Sequence, residues 1–159
     1  MAQMVFLPFS RARAAELRAG TSSDEVVGHA ATQALLHLHG YDSSSLEDAE
    51  FAALSYAGVR AVADGAEPLR LVLAADVPVG QVLQTPDDPY GEVAVRGLRW
   101  VDVQALFSDE QAATAAVAEA RQVAAGQSLA DALERPAVQH LLDEHDLLWF
   151  APEELDQLP

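Results

Sequence analysis

Four short stretches of this chain hold residue types that can do chemistry. His37, His39, Tyr41 and Asp42 make the segment HLHGYD. Two histidines at i and i+2 point to different faces of a helix and cannot share a metal there; only an extended segment lets them chelate. The plainer reading is a helix C-terminus, with imidazoles near the last carbonyls before Gly40. Glu144, His145 and Asp146 are consecutive. A carboxylate beside a histidine can raise its pKa and prepare a base, but adjacency in sequence is not geometry, and the stretch reads as a polar helix-to-strand turn. Asp76 closes an apolar strand two residues before Pro78. Ligand sites in open α/β sheets gather beyond the carboxyl ends of strands, so Asp76 is a candidate binding residue, although a turn-starting aspartate is the simpler explanation. Ser10, Arg11 and Arg13 stand where the first strand enters the first helix. A helix N-terminus offers N–H groups to an anion, and two arginines add charge on an otherwise acidic chain. No Gly-rich loop brings the backbone close, and such arginines more often pair with surface carboxylates.

No H-E-x-x-H, G-x-S-x-G, P-loop or G-x-G-x-x-G pattern occurs. The reading therefore selects no catalytic residue, no metal ligand and no cofactor. The candidate ligand-binding residues are Ser10, Arg11, Arg13 and Asp76.

Composition narrows the classes further. The chain has 159 residues and a formal charge of −16, from 25 carboxylates against 9 arginines. It has no Cys, Lys, Asn or Ile, and Ala fills 31 positions. Absent cysteine removes disulfides, thiolate metal sites and thiol catalysis, and fits a reducing cytoplasm. Lys, Asn and Ile have A/T-rich codons, and their absence points to a GC-rich, actinobacterial source. Nucleic acid and anionic membranes are disfavoured as partners, because binding phosphates needs clustered basic residues. MAQMVFLPFSRAR is apolar first and basic second, the reverse of a signal peptide. The longest uncharged stretch, 26–41, is too short to span a membrane.

These groups must be positioned by elements that the apolar pattern outlines. Residues 4–7, 71–75 and 147–150 are continuous apolar runs, which predicts strands covered on both faces at the sheet centre. A weaker strand is expected over 26–31. The stretch 93–107 alternates, which predicts one bent or two half-buried strands at the edge, broken near Gly97. Helix starts are expected at Ser10, Thr32 and Ser128, with capping boxes at Ser44/Glu47 and Ser108/Gln111 and a helix opened by Pro136. Between Ser44 and Gly65, Leu46, Ala49, Ala53, Tyr56 and Ala57 form one stripe, widened by Phe51, Leu54 and Val62. Residues 21–25 read as a polar loop. Trp100, Phe107, Trp149 and Phe150 read as core.

Three blocks carry a resemblance: LEDAEFAALSYAGVRAV (46–62), LRLVLAADVP (69–78) and HDLLWFAPEEL (145–155). Their order and spacing resemble a family of actinobacterial proteins known only as a domain of unknown function. The resemblance covers most of the chain and implies one compact domain and no assigned activity. The chain departs from that family at LLHLHGYD, where the family carries a charged polar segment.

The expectation is thus an α+β (mixed α/β) single domain over 1–159. It has a mixed sheet of about five strands packed by helices on its faces, ferredoxin-like in part. The expected role is a non-catalytic cytosolic binding or protein-interaction module, as a homo-oligomer or with a cytosolic protein partner. The alternative is a small enzyme or a binder of an anionic metabolite at the corner near Ser10.

Overall fold

The computed structural model describes residues 1–21 and 25–159. Of the polar loop expected over 21–25, residues 22–24 lie outside the described residues. In chain order the elements are β1 (Ala2–Pro8), α1 (Arg11–Arg18), β2 (Glu25–Ala30), α2 (Gln33–Leu38), α3 (Leu46–Asp64), β3 (Leu71–Pro78), β4 (Val82–Gln84), β5 (Glu92–Arg96), β6 (Val103–Ser108), α4 (Thr114–Ala124), α5 (Leu129–Leu133), α6 (Pro136–Glu144) and β7 (Leu148–Phe150). A 3₁₀ turn at Pro152–Gln157 follows.

The strands form one sheet in the order β4-β5-β2-β1-β3-β6-β7. Every pairing is antiparallel, which corrects the expected mixed sheet. β2 and β3 do run parallel to one another, but β1 lies between them. The sheet has seven strands among the described residues, not about five. β4 is only three residues long and carries too little pattern to be read. The alternating stretch resolves into two separate strands, β5 and β6. Gly97 adopts a positive φ of 69°, and the turn after it is closed by Arg99, whose N–H and guanidinium donate to the Asp102 carboxylate while Asp102 N donates to Arg99 O.

β1 and β3 occupy the centre, as their apolar runs require; they pair from Ala2↔Pro78 to Pro8↔Val72. Residues 147–150 do not: β7 is an edge strand and Trp149 is 61% exposed. A run of three or four apolar residues looks the same on an edge as in a centre, so the pattern misplaced it. Nor is 93–107 an edge, because β5 is covered by β4 and β6 by β7. Trp100, Phe107 and Phe150 do pack, partly buried, against the core.

Strand alternation gives the sheet two apolar faces. Val5, Leu7, Leu73 and Val95 meet Ala14 and Leu17 of α1 and Leu155 and Leu158 of the terminal segment. On the other face Phe6, Val72, Ala74 and Ala105 lie under Ala49, Ala53, Leu54 and Ala57 of α3. A further side of α3, with Val59, Val62 and Ala63, carries α4 to α6. The alanines of α3 let it sit close to the sheet. Leu46 and Phe51, expected on its buried stripe, are instead exposed.

Ser10, Thr32 and Ser128 cap their helices, accepting from Arg13 N, Leu35 N and Asp131 N. Neither capping box forms as expected. Asp42 caps a 3₁₀ turn at Ser43–Ser45, and α3 grows out of that turn. Ser108 ends β6, buried, and donates to Arg70 O at 2.9 Å.

That bond belongs to the most buried polar junction. Arg70 is 2% exposed and Asp109 is 0%. One Asp109 oxygen accepts from Arg70 N and Nε, both at 2.9 Å, and the other from Nη2 at 2.6 Å. Nη2 also donates to His145 O at 2.8 Å. Removing one partner of such a pair leaves a buried charge uncompensated, which costs about 3–5 kcal/mol. Asp109→Ala is expected to lose about that much in urea unfolding. Arg70→Met/Asp109→Leu is expected to recover most of it, because no charge remains to be solvated. A single variant as stable as the parent would show that the junction is not what holds these segments.

Candidate functional site

The polar groups that converge most closely are not those the sequence singles out. They gather around His29. Its strand, β2, places it opposite Phe6 of β1 and Glu92 of β5, so its ring points to the α3 side of the sheet. From α3, Tyr56 and Arg60, four residues apart and on one helix face, lie over it. Before β5 the chain turns through Tyr90 and Gly91. Gly91 has φ 69°, and a Cβ there would lie 2.1 Å from Ala30 O, so only glycine permits this approach. The turn is further tied by Ala30 N donating to Gly91 O at 2.9 Å.

His29 is fully buried. Its Nε2 accepts from Arg60 Nε at 3.0 Å, and its Nδ1 is 2.8 Å from Tyr90 O. A carbonyl only accepts, so Nδ1 carries the proton and the ring is neutral. Burial lowers the His29 pKa below 6.5, and the Arg60 charge lowers it further; the Tyr90 carbonyl, Asp88 and Glu92 oppose them. Arg60 also binds Glu92 and stands 3.6 Å from Asp64. The second Glu92 oxygen accepts from the Thr85 hydroxyl at 3.0 Å.

The tyrosines extend this centre to the surface. Tyr56 OH is 3.0 Å from His39 Nε2. His39 stacks on Tyr41 at 5.6 Å and 12°. Tyr56 meets Tyr90 edge to face at 5.0 Å, the arrangement aromatic quadrupoles favour. Burial raises the Tyr56 pKa, with Tyr90 and Tyr41 adding to it. These are all three tyrosines of the chain, and with His39 they form a half-exposed aromatic shelf beside Arg60.

The sequence-chosen residues fall elsewhere. Ser10 and Arg13 line a groove of about 450 Å³. Ser10 Oγ is used as a helix cap, and the Arg13 guanidinium lies 4.7 Å over the Phe9 ring. Arg11 sits in a neighbouring hollow with Glu67 and Pro159. Its N–H donates to Glu67 Oε1 at 2.8 Å, so a carboxylate of the chain itself already takes one of the N–H groups at this helix start. The Arg11 guanidinium donates to Pro159 O. Asp76 lies apart, exposed within β3 and opposite Met4, because β3 runs on to Pro78. His37 is exposed in the last turn of α2. His145 ends α6 and pairs with Glu110 at 3.1 Å, not with its sequence neighbours. Among the described residues no group of three or more His, Asp and Glu is placed to hold a metal ion. No helix there is long and apolar enough to cross a membrane.

A family of unknown function, DUF6912, matches this chain over residues 3–158. No curated protein and no solved structure matches it.

The buried imidazole has a consequence in solution. With its pKa below 6.5 in the folded state, His29 takes a proton more readily when the chain unfolds. Its neutral form therefore stabilises the fold fully above about pH 6.5, and this is lost as pH falls toward the folded value. Urea unfolding is expected to show stability falling from about pH 6.5 downward, by at most about 1.4 kcal/mol per pH unit from this one group. His29→Gln keeps an acceptor for Arg60 and is expected to flatten that limb. An equally steep limb in the variant would assign the effect to other groups.

Proposed function

We propose that this chain, which belongs to that family of unknown function, is a non-catalytic module that binds a partner protein on its aromatic shelf. The single supporting observation is the convergence of Tyr41, Tyr56 and Tyr90 with His39 at one half-exposed place. Tyrosine supplies large, rigid contact area with a polar tip, and it is enriched where binding energy concentrates. The groups nearby that could move protons have structural partners already: His29 with Arg60 and Tyr90 O, Glu92 with Arg60 and Thr85.

Charge selects the partner. A formal charge of −16 on each copy opposes self-association and favours a cationic surface. Asp42 follows Tyr41 directly, and Asp87 and Asp88 closely precede Tyr90. Arginine in the partner suits this shelf best, since guanidinium stacks on aromatic faces. Composition supports a cytoplasmic setting in an actinobacterial source, and the β2–α3–β3 crossover around β1 reads as the ferredoxin-like part of the fold. A second reading, a small-molecule binder at the corner near Ser10, is favoured by the groove that Ser10 and Arg13 line.

Calorimetric titration with an arginine-rich peptide tests the first reading. The native chain is expected to bind it more tightly than a lysine peptide of equal charge. Tyr41→Leu/Tyr90→Leu, checked by circular dichroism, is expected to weaken that binding about tenfold. Equal affinity in the variant would reduce the interaction to net charge and remove the shelf from it.

A further inference from the structure

We propose that the groove beside Arg60 takes a small zwitterion with an apolar body, the size of a di- or tripeptide, with its charges inserted between Arg60 and Asp64. This rests on the small-molecule reading above. The groove has about 450 Å³, within the range of about 300–1,000 Å³ usual for ligand sites. Its floor is apolar: Phe9, Val26, Leu69 and Leu71 reach it from the core. Ala61 and Ala66, on the α3 side, leave the space open.

The lip carries both signs. Arg60 and Asp64, one helical turn apart, stand at 3.6 Å, a loose pair beside the closer bonds of Arg60 to His29 and Glu92. Asp64 is mostly exposed. The other carboxylates of the groove have partners, Glu25 with Arg96 and Glu67 with the Arg11 N–H. A simple anion at this lip would gain Arg60 but meet Asp64, Glu25 and Glu67. A simple cation would gain Asp64 but meet Arg60. A molecule with both charges replaces one loose ion pair by two and lays its apolar body on the floor. Charged groups discriminate mainly by what they repel, so the mixed lip excludes singly charged molecules.

Calorimetry with three probes on the full chain separates the possibilities: leucyl-leucine, its N-acetyl derivative and its C-terminal amide. The free dipeptide is expected to bind at least about tenfold more tightly than either blocked form. Asp64→Asn, at an exposed position, is expected to erase the preference for a free amine. Ala61→Trp is expected to abolish binding by filling the groove, with circular dichroism confirming the fold. A blocked form that binds as well as the free dipeptide overturns the zwitterion and leaves the small-molecule reading standing. Absence of binding by all three at millimolar concentration overturns both, as does binding that survives Ala61→Trp.

Discussion

A guanidinium removed from water needs an acceptor for each of its bonds, and Arg70 is in that position. Asp109 supplies both oxygens and His145 a carbonyl. Those partners come from the end of β6 and the end of α6, so both must arrive at the start of β3. Such a pair contributes little net stability but penalises any arrangement that separates it. Its demands reach α3. At Gly58 an added Cβ would lie 3.3 Å from Leu147 and 3.5 Å from Arg70 Nη1, so the helix comes close because a glycine stands there. Tyr56 and Arg60 flank that glycine. The close approach of α3 to Arg70 thus falls on the same stretch of helix that carries the tyrosine and the arginine over His29.

Local signals were legible where the chain decides locally. Ser10, Thr32 and Ser128 cap because their oxygens meet N–H groups three residues on. β1 and β3 are central because their apolar runs must be covered on both faces. Ser44 and Ser108 carried the same signature and did other work, since Asp42 offered a stronger acceptor to the turn and Ser108 was drawn to the Arg70 carbonyl. Trp149 read as core because an edge strand and a central one share a short apolar run.

The site was hardly legible, for a different reason. His29, Arg60, Glu92 and the tyrosines lie on β2, α3, β5 and the loops beside them. Only the strand order, which places β5 against β2, brings them together. Nothing in the spacing of these residues announces that. The one usable signal was scarcity: with three tyrosines in 159 residues, their positions carried more information than any of the many alanines. The Ser10 corner, by contrast, was conspicuous in sequence because its arginines are dense. In space they act as staples, with Arg11 and Arg18 tying the terminal segment to α1 through Pro159 O and Asp156.

The same economy explains why the surface is so acidic. With no lysine, each cation is an arginine, whose planar fork suits fixed bidentate bonds better than loose solvation. Arg70 is spent in the core, Arg121 on the carbonyls of Ala61 and Val62 near the end of α3, and Arg99 on its own turn with Asp102. Arg60 joins His29 to Glu92. With 25 carboxylates against nine arginines, several of them tied up in these bonds, negative charge is left in excess, and the resulting field extends over the whole surface. Arg60 is half-buried and bonded on both sides. It faces the shelf through His29 and the groove through Asp64, so its guanidinium is common to both surfaces and its geometry cannot be altered at one without being felt at the other.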